Sequence, residues 1–208
     1  MQELSISGLW LVEPEIHSDD RGIFCESFVS STFNEYVGRT FATSQVNTSI
    51  SHKGAVRGIH YAQLPPSQAK YITCTHGKIW DVVVDIREGS PTFGSYEEIV
   101  LDAGKCMSLY VAEGLGHLFV SLEDDSRVMY LTSTTYNPQN EYGINPYDTD
   151  IAIDFDKHLH NFGITQEDHI LSTKDAHAPS LRDLRRSQLL PQYEDCEQWY
   201  YREKSARK

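Results

Sequence analysis

KYITCTHGKIWDVVVDI, residues 70–86, decides the fold. Two runs rich in Val, Ile, Tyr and Thr, residues 70–75 and 78–86, stand either side of His76-Gly77, a pair that breaks any regular element. The same kind of run recurs at residues 42–47, 96–101, 107–111, 117–122 and 127–135. Between the runs lie Gly- and Asp-rich turns at 89–94, 103–104, 113–116 and 123–125. Short strands at this spacing predict an all-β sandwich or barrel, with a few short flanking helices, rather than alternating βα units.

Outward from that centre the signals thin. Residues 5–13, with Trp10 and Val12, read as a strand stopped by Pro14, and HSDDRGIF places a turn at 19–22. Ser31 is positioned to cap a helix through about Tyr36 that Gly38 ends. Beyond Tyr136 the chain reads as loop, and the polar stretch 156–169 predicts no element. Pro179 and Ser180 can start a helix that Pro191 stops. In the tail, Trp199, Tyr200 and Tyr201 read as packing against the body or a partner subunit. No linker or repeat divides the 208 residues, so a single domain over 1–208 is expected, with about 192–208 as a C-terminal extension.

A formal charge of −12 argues against general nucleic-acid or anionic-membrane binding, so any phosphate site must be local. Cys25, Cys74, Cys106 and Cys196 show no CxxC spacing and suit a reducing compartment. The start lacks a basic, apolar leader and no stretch nears the roughly 18 apolar residues of a membrane span. A cytoplasmic protein is expected.

The chemistry is expected in VRGIHYAQLPPSQAKY, residues 56–71. Arg57, His60 and Lys70 put three potential cations into an apolar context, where unpaired charge is costly, so something anionic should meet them. Pro65-Pro66 stops one strand from spanning the stretch and lets the chain bow His60 and Lys70 toward one wall. A jelly roll invites a metal test: His60 is followed by Tyr61 and Ala62, so the HxH pair of metal cupins is missing, and although His117 of EGLGH matches their later histidine, two histidines without a carboxylate at the usual spacing make a weak metal site. No metal is expected. Without one, His60 is the natural general base, and Tyr130 in RVMYLTSTTY could face it as an acid. The plainer alternatives are a histidine that merely hydrogen-bonds and a tyrosine packed in the core. A base and an acid on opposite faces of a substrate are what epimerisation beside a carbonyl needs.

The ordered set DDRGIF (19–24), RGIH (57–60), PPxQAK (65–70), DVVVDIR (81–87), SPTFG (90–94), EGxxH (113–117), LSxKD (171–175) and APSL (178–181) resembles the dTDP-4-dehydrorhamnose 3,5-epimerase family. The resemblance covers about residues 18–191. It implies a cupin-type jelly roll, a homodimer that exchanges N-terminal strands, a dTDP-4-keto-6-deoxyhexose substrate, and no metal or organic cofactor. By position, the family's proton acceptor falls on His60, its carboxylate partner on Asp175, the lysine beside the C4 carbonyl on Lys70 and the proton donor on Tyr130. Arg21 and Glu26 match residues that reach the nucleotide, Gln45 and Asn47 match polar ligands, and Arg57 and Lys174 match cations on the diphosphate side. His117, Glu141 and Tyr136, the last as the ring stacking on thymine, complete the implied site. SPTFG reads as a structural turn. HYAQLPP, Thr135 and NPYD depart from the rhamnose-pathway pattern toward the antibiotic deoxysugar branch, whose members invert C3, C5 or both. The rival classes are a metal-dependent cupin using His60 and His117, a ketoisomerase on the same fold, and a non-catalytic sugar-nucleotide binder.

Overall fold

The computed structural model describes residues 1–205, with side chains described as far as Tyr200. Among the described residues thirteen strands and five α-helices follow in chain order: β1 (Gln2–Glu3), β2 (Leu9–Val12), β3 (Ile16–Asp19), β4 (Gly22–Cys25), α1 (Ser30–Val37), β5 (Gln45–Ser51), β6 (Val56–Ala62) and β7 (Lys70–His76). Then come β8 (Lys78–Asp85), β9 (Tyr96–Asp102), β10 (Ser108–Val111), β11 (Leu115–Ser121), β12 (Ser126–Thr132) and β13 (Glu141–Gly143). The helices α2 (Phe155–Leu159), α3 (Thr173–Ala176), α4 (Leu181–Arg186) and α5 (Tyr193–Ser205) follow, with three short 3₁₀ turns between elements. None of the described helices is long and apolar enough to cross a membrane.

The strands form two antiparallel sheets, β1-β2-β10-β7-β12-β5 and β13-β6-β11-β8-β9, while β3 and β4 pair only with each other. This is the expected jelly-roll architecture. The run 70–86 spans both sheets rather than folding back on itself: β7 lies in the first, β8 in the second, and Gly77 (φ +70°) carries the chain across.

Strand β8 explains how so apolar a run is accommodated. Successive side chains on a strand point to opposite faces. Ile79 and Val83 enter a core between the sheets with Ile72, Leu109, Val128 and Phe119. Trp80, Val82 and Val84 enter a second core on the outer face with Phe155, Leu159, Ile164, Leu181 and Leu184. The polar stretch 156–169 is therefore not structureless: α2 and the turns after it cover the sheet with a few widely spaced apolar residues.

Local details follow their sequence signals unevenly. Helix α1 ends on Gly38 at φ +72°, as expected, but its N-cap is Val29 and no side chain caps it, so Ser31 lies inside the first turn. Ser180 caps α4 by accepting from the Asp183 amide. Strand β13, within the region read as loop, pairs with β6 from Glu141 opposite Ala62 to Gly143 opposite His60. Ser90 and Thr92 of SPTFG donate to Asp85 at 2.6 and 2.7 Å, confirming a structural turn. Tyr200 packs on the body, its hydroxyl donating to the Glu113 carbonyl at 2.6 Å. The side chain of Tyr201 lies outside the described residues.

Candidate active site

A cavity of about 380 Å³ opens beside the two sheets. Four structural devices aim side chains into it.

Strand β5 is the edge of its sheet and alternates unusually. Gln45, Asn47 and Ser49 line the cavity, whereas Val46 and Ile50 on the opposite face are 57% and 56% exposed. The polar residues are inside because the inside is a ligand-sized space rather than a core. Gln45 donates to Asn47 Oδ1 at 2.7 Å and accepts from the Tyr136 amide at 2.9 Å, tying the Tyr136 loop to this wall.

Strand β6 carries a bulge. His60 pairs with His117 and Arg57 with Phe119, so three steps on β6 match two on β11. The extra residue puts Arg57 and His60, three apart, on one face. Gly58 makes this possible: its φ is +125°, and a Cβ there would sit 2.4 Å from the His117 carbonyl oxygen.

The segment before α3 runs alongside the start of β6. Ile170 donates to the Gly54 carbonyl at 3.0 Å and accepts from the Val56 amide at 2.9 Å. Ser172 then caps α3, accepting from the Asp175 amide at 3.0 Å. These contacts bring residue 175 to residue 60 across 115 positions: His60 Nε2 lies 2.6 Å from Asp175 Oδ1. Asp175 is only 5% exposed. Burial would raise its pKa, but hydrogen bonds from His60, Ser172 and the Gly58 amide, with the His60 charge, outweigh burial and hold it below the usual carboxylate range. A carboxylate only accepts, so His60 donates through Nε2–H and leaves Nδ1 for the cavity.

Lys70 opens β7 and Tyr130 lies on β12, the next strand of the same sheet. Burial lowers the Lys70 pKa against the opposing pull of Glu141 and Asp81. Burial raises that of Tyr130, helped by Glu141 and opposed by Arg57, so its phenol keeps its proton. Arg57, Lys70 and Lys174 face the cavity against the carboxylates Glu141 and Asp175. This is a local cationic site in a chain of net charge −12.

The structure thus brings together His60, Lys70, Tyr130, Asp175, Gln45, Asn47, Arg57, His117, Tyr136, Glu141 and Lys174 around one cavity. It does not bring Arg21 or Glu26 there. Arg21 lies in the exposed β3–β4 turn, paired with Asp19 at 2.5 Å, and Glu26 lines a separate groove with Val12 and Phe28. The hairpin leaves the body, so a site built from one chain lacks both. Ser49, Gln68, Phe119 and Ser172 also line the cavity and were not anticipated. Ser49 was findable, continuing the i, i+2 series from Gln45 and Asn47. Asp81, wholly buried behind His117, was also missed, although a carboxylate within an apolar strand signals a buried partner. Among the described residues no three of His, Cys, Asp and Glu are grouped to hold a metal ion.

Comparisons with known proteins point to one family. A family model described as dTDP-4-dehydrorhamnose 3,5-epimerase matches residues 3–183. A dTDP-4-dehydrorhamnose 3,5-epimerase from Mycolicibacterium smegmatis is 46% identical over 196 residues, covering 94% of this chain and 92% of that protein. A dTDP-4-dehydro-6-deoxyglucose 3-epimerase from Streptomyces bikiniensis is 44% identical over 194 residues, covering 93% and 95%. Among solved structures, a 3'-monoepimerase from Streptomyces bikiniensis in complex with dTDP-quinovose superposes with a TM-score of 0.91 at 42% identity, over 98% of this chain and 99% of that one.

Proposed function

The chain belongs to the dTDP-4-dehydrorhamnose 3,5-epimerase family, and on that premise we propose that it inverts C3, C5 or both of a dTDP-4-keto-6-deoxyhexose without a metal or organic cofactor. The observation that carries the proposal is the His60–Asp175 pair opening onto a cavity that also holds Lys70 and Tyr130. His60 Nδ1 takes the proton from a carbon beside the ketone. Asp175 fixes the tautomer and stabilises the imidazolium that forms. Lys70 donates to the C4 oxygen as it becomes an enolate, an electrostatic task for a buried, fixed donor. The protonated phenol of Tyr130 returns a proton from the other face and inverts the centre.

The remaining residues bind the nucleotide and the sugar it carries. Arg57 and Lys174 meet the diphosphate, Arg57 offering the planar fork that suits phosphate oxygens. Gln45, Asn47, His117 and Glu141 supply polar contacts, and Tyr136, 58% exposed at the rim, stacks on thymine. Arg21 and Glu26 complete a neighbouring subunit's site in a homodimer that exchanges N-terminal segments. Support comes from the hairpin itself, which pairs with neither main sheet and exposes Ile23 and Phe24 at 55% and 64%. Free cysteines suit the reducing cytoplasm as its location.

Incubation with dTDP-4-keto-6-deoxyglucose in heavy water tests the reaction: deuterium is expected at C3, C5 or both, and its position fixes the regiochemistry. Failure of the wild type to exchange any 4-keto sugar nucleotide sinks the proposal. Exhaustive chelation is expected to leave the exchange rate unchanged. For the exchanged dimer, mixing Arg21→Ala with His60→Ala subunits should give a kcat/KM above that of either variant alone.

A further inference from the structure

His60 is not the only imidazole held by a carboxylate in this cavity. His117, directly opposite it on the neighbouring strand, places Nε2 2.9 and 3.0 Å from the two oxygens of Asp81. Asp81 is 0% exposed and sits on β8 opposite Phe119, behind the cavity wall rather than on it. A carboxylate with nothing but acceptor sites, set astride one ring nitrogen, requires that nitrogen to carry hydrogen. Both imidazoles are thus locked in the same sense, each with Nε2–H on an aspartate and Nδ1 free for the cavity. Nothing in the proposed proton transfers uses the second pair.

We propose that Asp81 is a positioning residue that turns His117 Nδ1 into a fixed hydrogen-bond acceptor for a hydroxyl of the hexose ring, so that the His117–Asp81 pair selects sugars that keep a hydroxyl next to the reacting carbons. This rests on the epimerase reading above and sharpens it to a substrate feature. The chemistry follows from what surrounds the ring. Arg57, Lys70 and the Nε2–H groups are donors or cations, and Tyr130 must spend its proton on carbon. The cations supply donors for phosphate and enolate oxygens, and the free Nδ1 of His117 adds, directly beside His60, an acceptor that a sugar O–H can use. A buried acceptor left without its hydroxyl costs binding in the transition state, and sites of this type reject the deoxy analogue strongly.

The experiment compares kcat/KM for dTDP-4-keto-6-deoxyglucose with that for its 2-deoxy and 3-deoxy counterparts, read as solvent-deuterium incorporation at C3 and at C5, in the wild type and in Asp81→Asn. The wild type is expected to prefer the fully hydroxylated sugar over one of the deoxy sugars by about 10²-fold or more. Asp81→Asn, whose amide can equally donate to Nε2 and reverse the tautomer, should cut that preference at least tenfold, with dTDP affinity unchanged. A preference unaltered by Asp81→Asn overturns the proposal, as does an equal loss on all three sugars, which marks a merely structural role. The tautomer is read independently in the wild type by ¹⁵N NMR, with the His117 signal assigned by its loss in His117→Gln. An Nδ1–H ring in the unliganded protein overturns the proposal even if Asp81→Asn does not fold. Absence of deuterium incorporation by the wild type on every sugar would instead condemn the epimerase reading.

Discussion

Arg87 and Lys70 are both buried cations, at 0% and 8% exposure, yet they live under opposite conditions. Arg87 is matched within the fold: Asp85 accepts from its Nε at 2.9 Å and from its Nη2 at 2.8 Å, and the Tyr193 ring of α5 lies under its guanidinium at 5.0 Å. Arg39 repeats the pattern, forked on Glu113 at 2.6 and 2.8 Å with the Tyr200 ring 5.1 Å away. Around the cavity, Lys70, Arg57 and Lys174 form no ion pair with any described carboxylate. Sealing a charge without a partner is expensive. The first group meets that cost with protein carboxylates and so belongs to structure. In the second group only Lys70 is buried, without an ion-paired carboxylate among the described residues, while Arg57 and Lys174 are exposed, so this charge is open to an anion from outside.

The sharpest way to break that contrast is chemical. His60→Ala is expected to slow solvent-deuterium exchange by about 10²–10⁴-fold, the usual contribution of a general base. The affinity for dTDP, measured by calorimetry, should stay within a few-fold of wild type. A variant that still exchanges at the wild-type rate places the base elsewhere.

Next comes a paired test of the two buried cations. Arg87→Ala strands the Asp85 carboxylate inside the fold, and breaking a buried pair in this way costs about 3–5 kcal/mol. At roughly 2–4 °C per kcal/mol for a chain of this size, the melting temperature should drop by about 10 °C. Lys70→Met removes the cation whose burial is not met by the fold, so stability should hold or rise while turnover collapses. If Lys70→Met melts as early as Arg87→Ala, the division between structural and ligand-directed charge is wrong.

The division also explains what could be read from the sequence. The β architecture was legible because apolar runs and turn residues alternate throughout residues 70–135, and burial enforces the pattern. The cluster of Arg57, His60 and Lys70 was visible as charge in apolar surroundings. Asp175 was not reachable from spacing: it meets His60 only because Ile170 bridges to Gly54 and Val56, and the family resemblance supplied it. The covering segment around α2 was invisible because Phe155, Leu159 and Ile164 are too widely spaced among polar residues to show a period. Arg21 was assigned to the cavity, yet its exposed turn stands apart from it, since a local motif says nothing of where the hairpin that carries it lies.

An exposed pair refines the comparison at lower energy. The Arg21–Asp19 contact is solvent-exposed, with the Arg21 side chain 90% accessible, and such pairs contribute little to stability. Arg21→Ala should leave the melting temperature unchanged yet raise KM for the nucleotide sugar. A lowered melting temperature with unchanged KM would return Arg21 to the structural group.

The smallest effect concerns a third imidazole. His60 and His117 rest on carboxylates, but His169 stacks on Tyr147 at 5.9 Å, close to Phe155, and its Nδ1 shares a 2.7 Å hydrogen bond with the Tyr147 hydroxyl. Burial lowers its pKa, against the opposing pull of Asp156 and Asp168. The folded state therefore resists a proton that the unfolded chain takes up near the ordinary histidine value. With more protons bound in the unfolded state, stability falls as pH drops through about 6.5 and levels off below the lowered folded value. His169 directly precedes Ile170, the residue that anchors the Asp175 segment to β6, so the same protonation should loosen that anchor. His169→Phe keeps the stack and removes the titration. Melting curves between pH 5 and 8 should then show a shallower acid-side decline than wild type, and an identical slope in the two proteins would move the pH dependence to other groups.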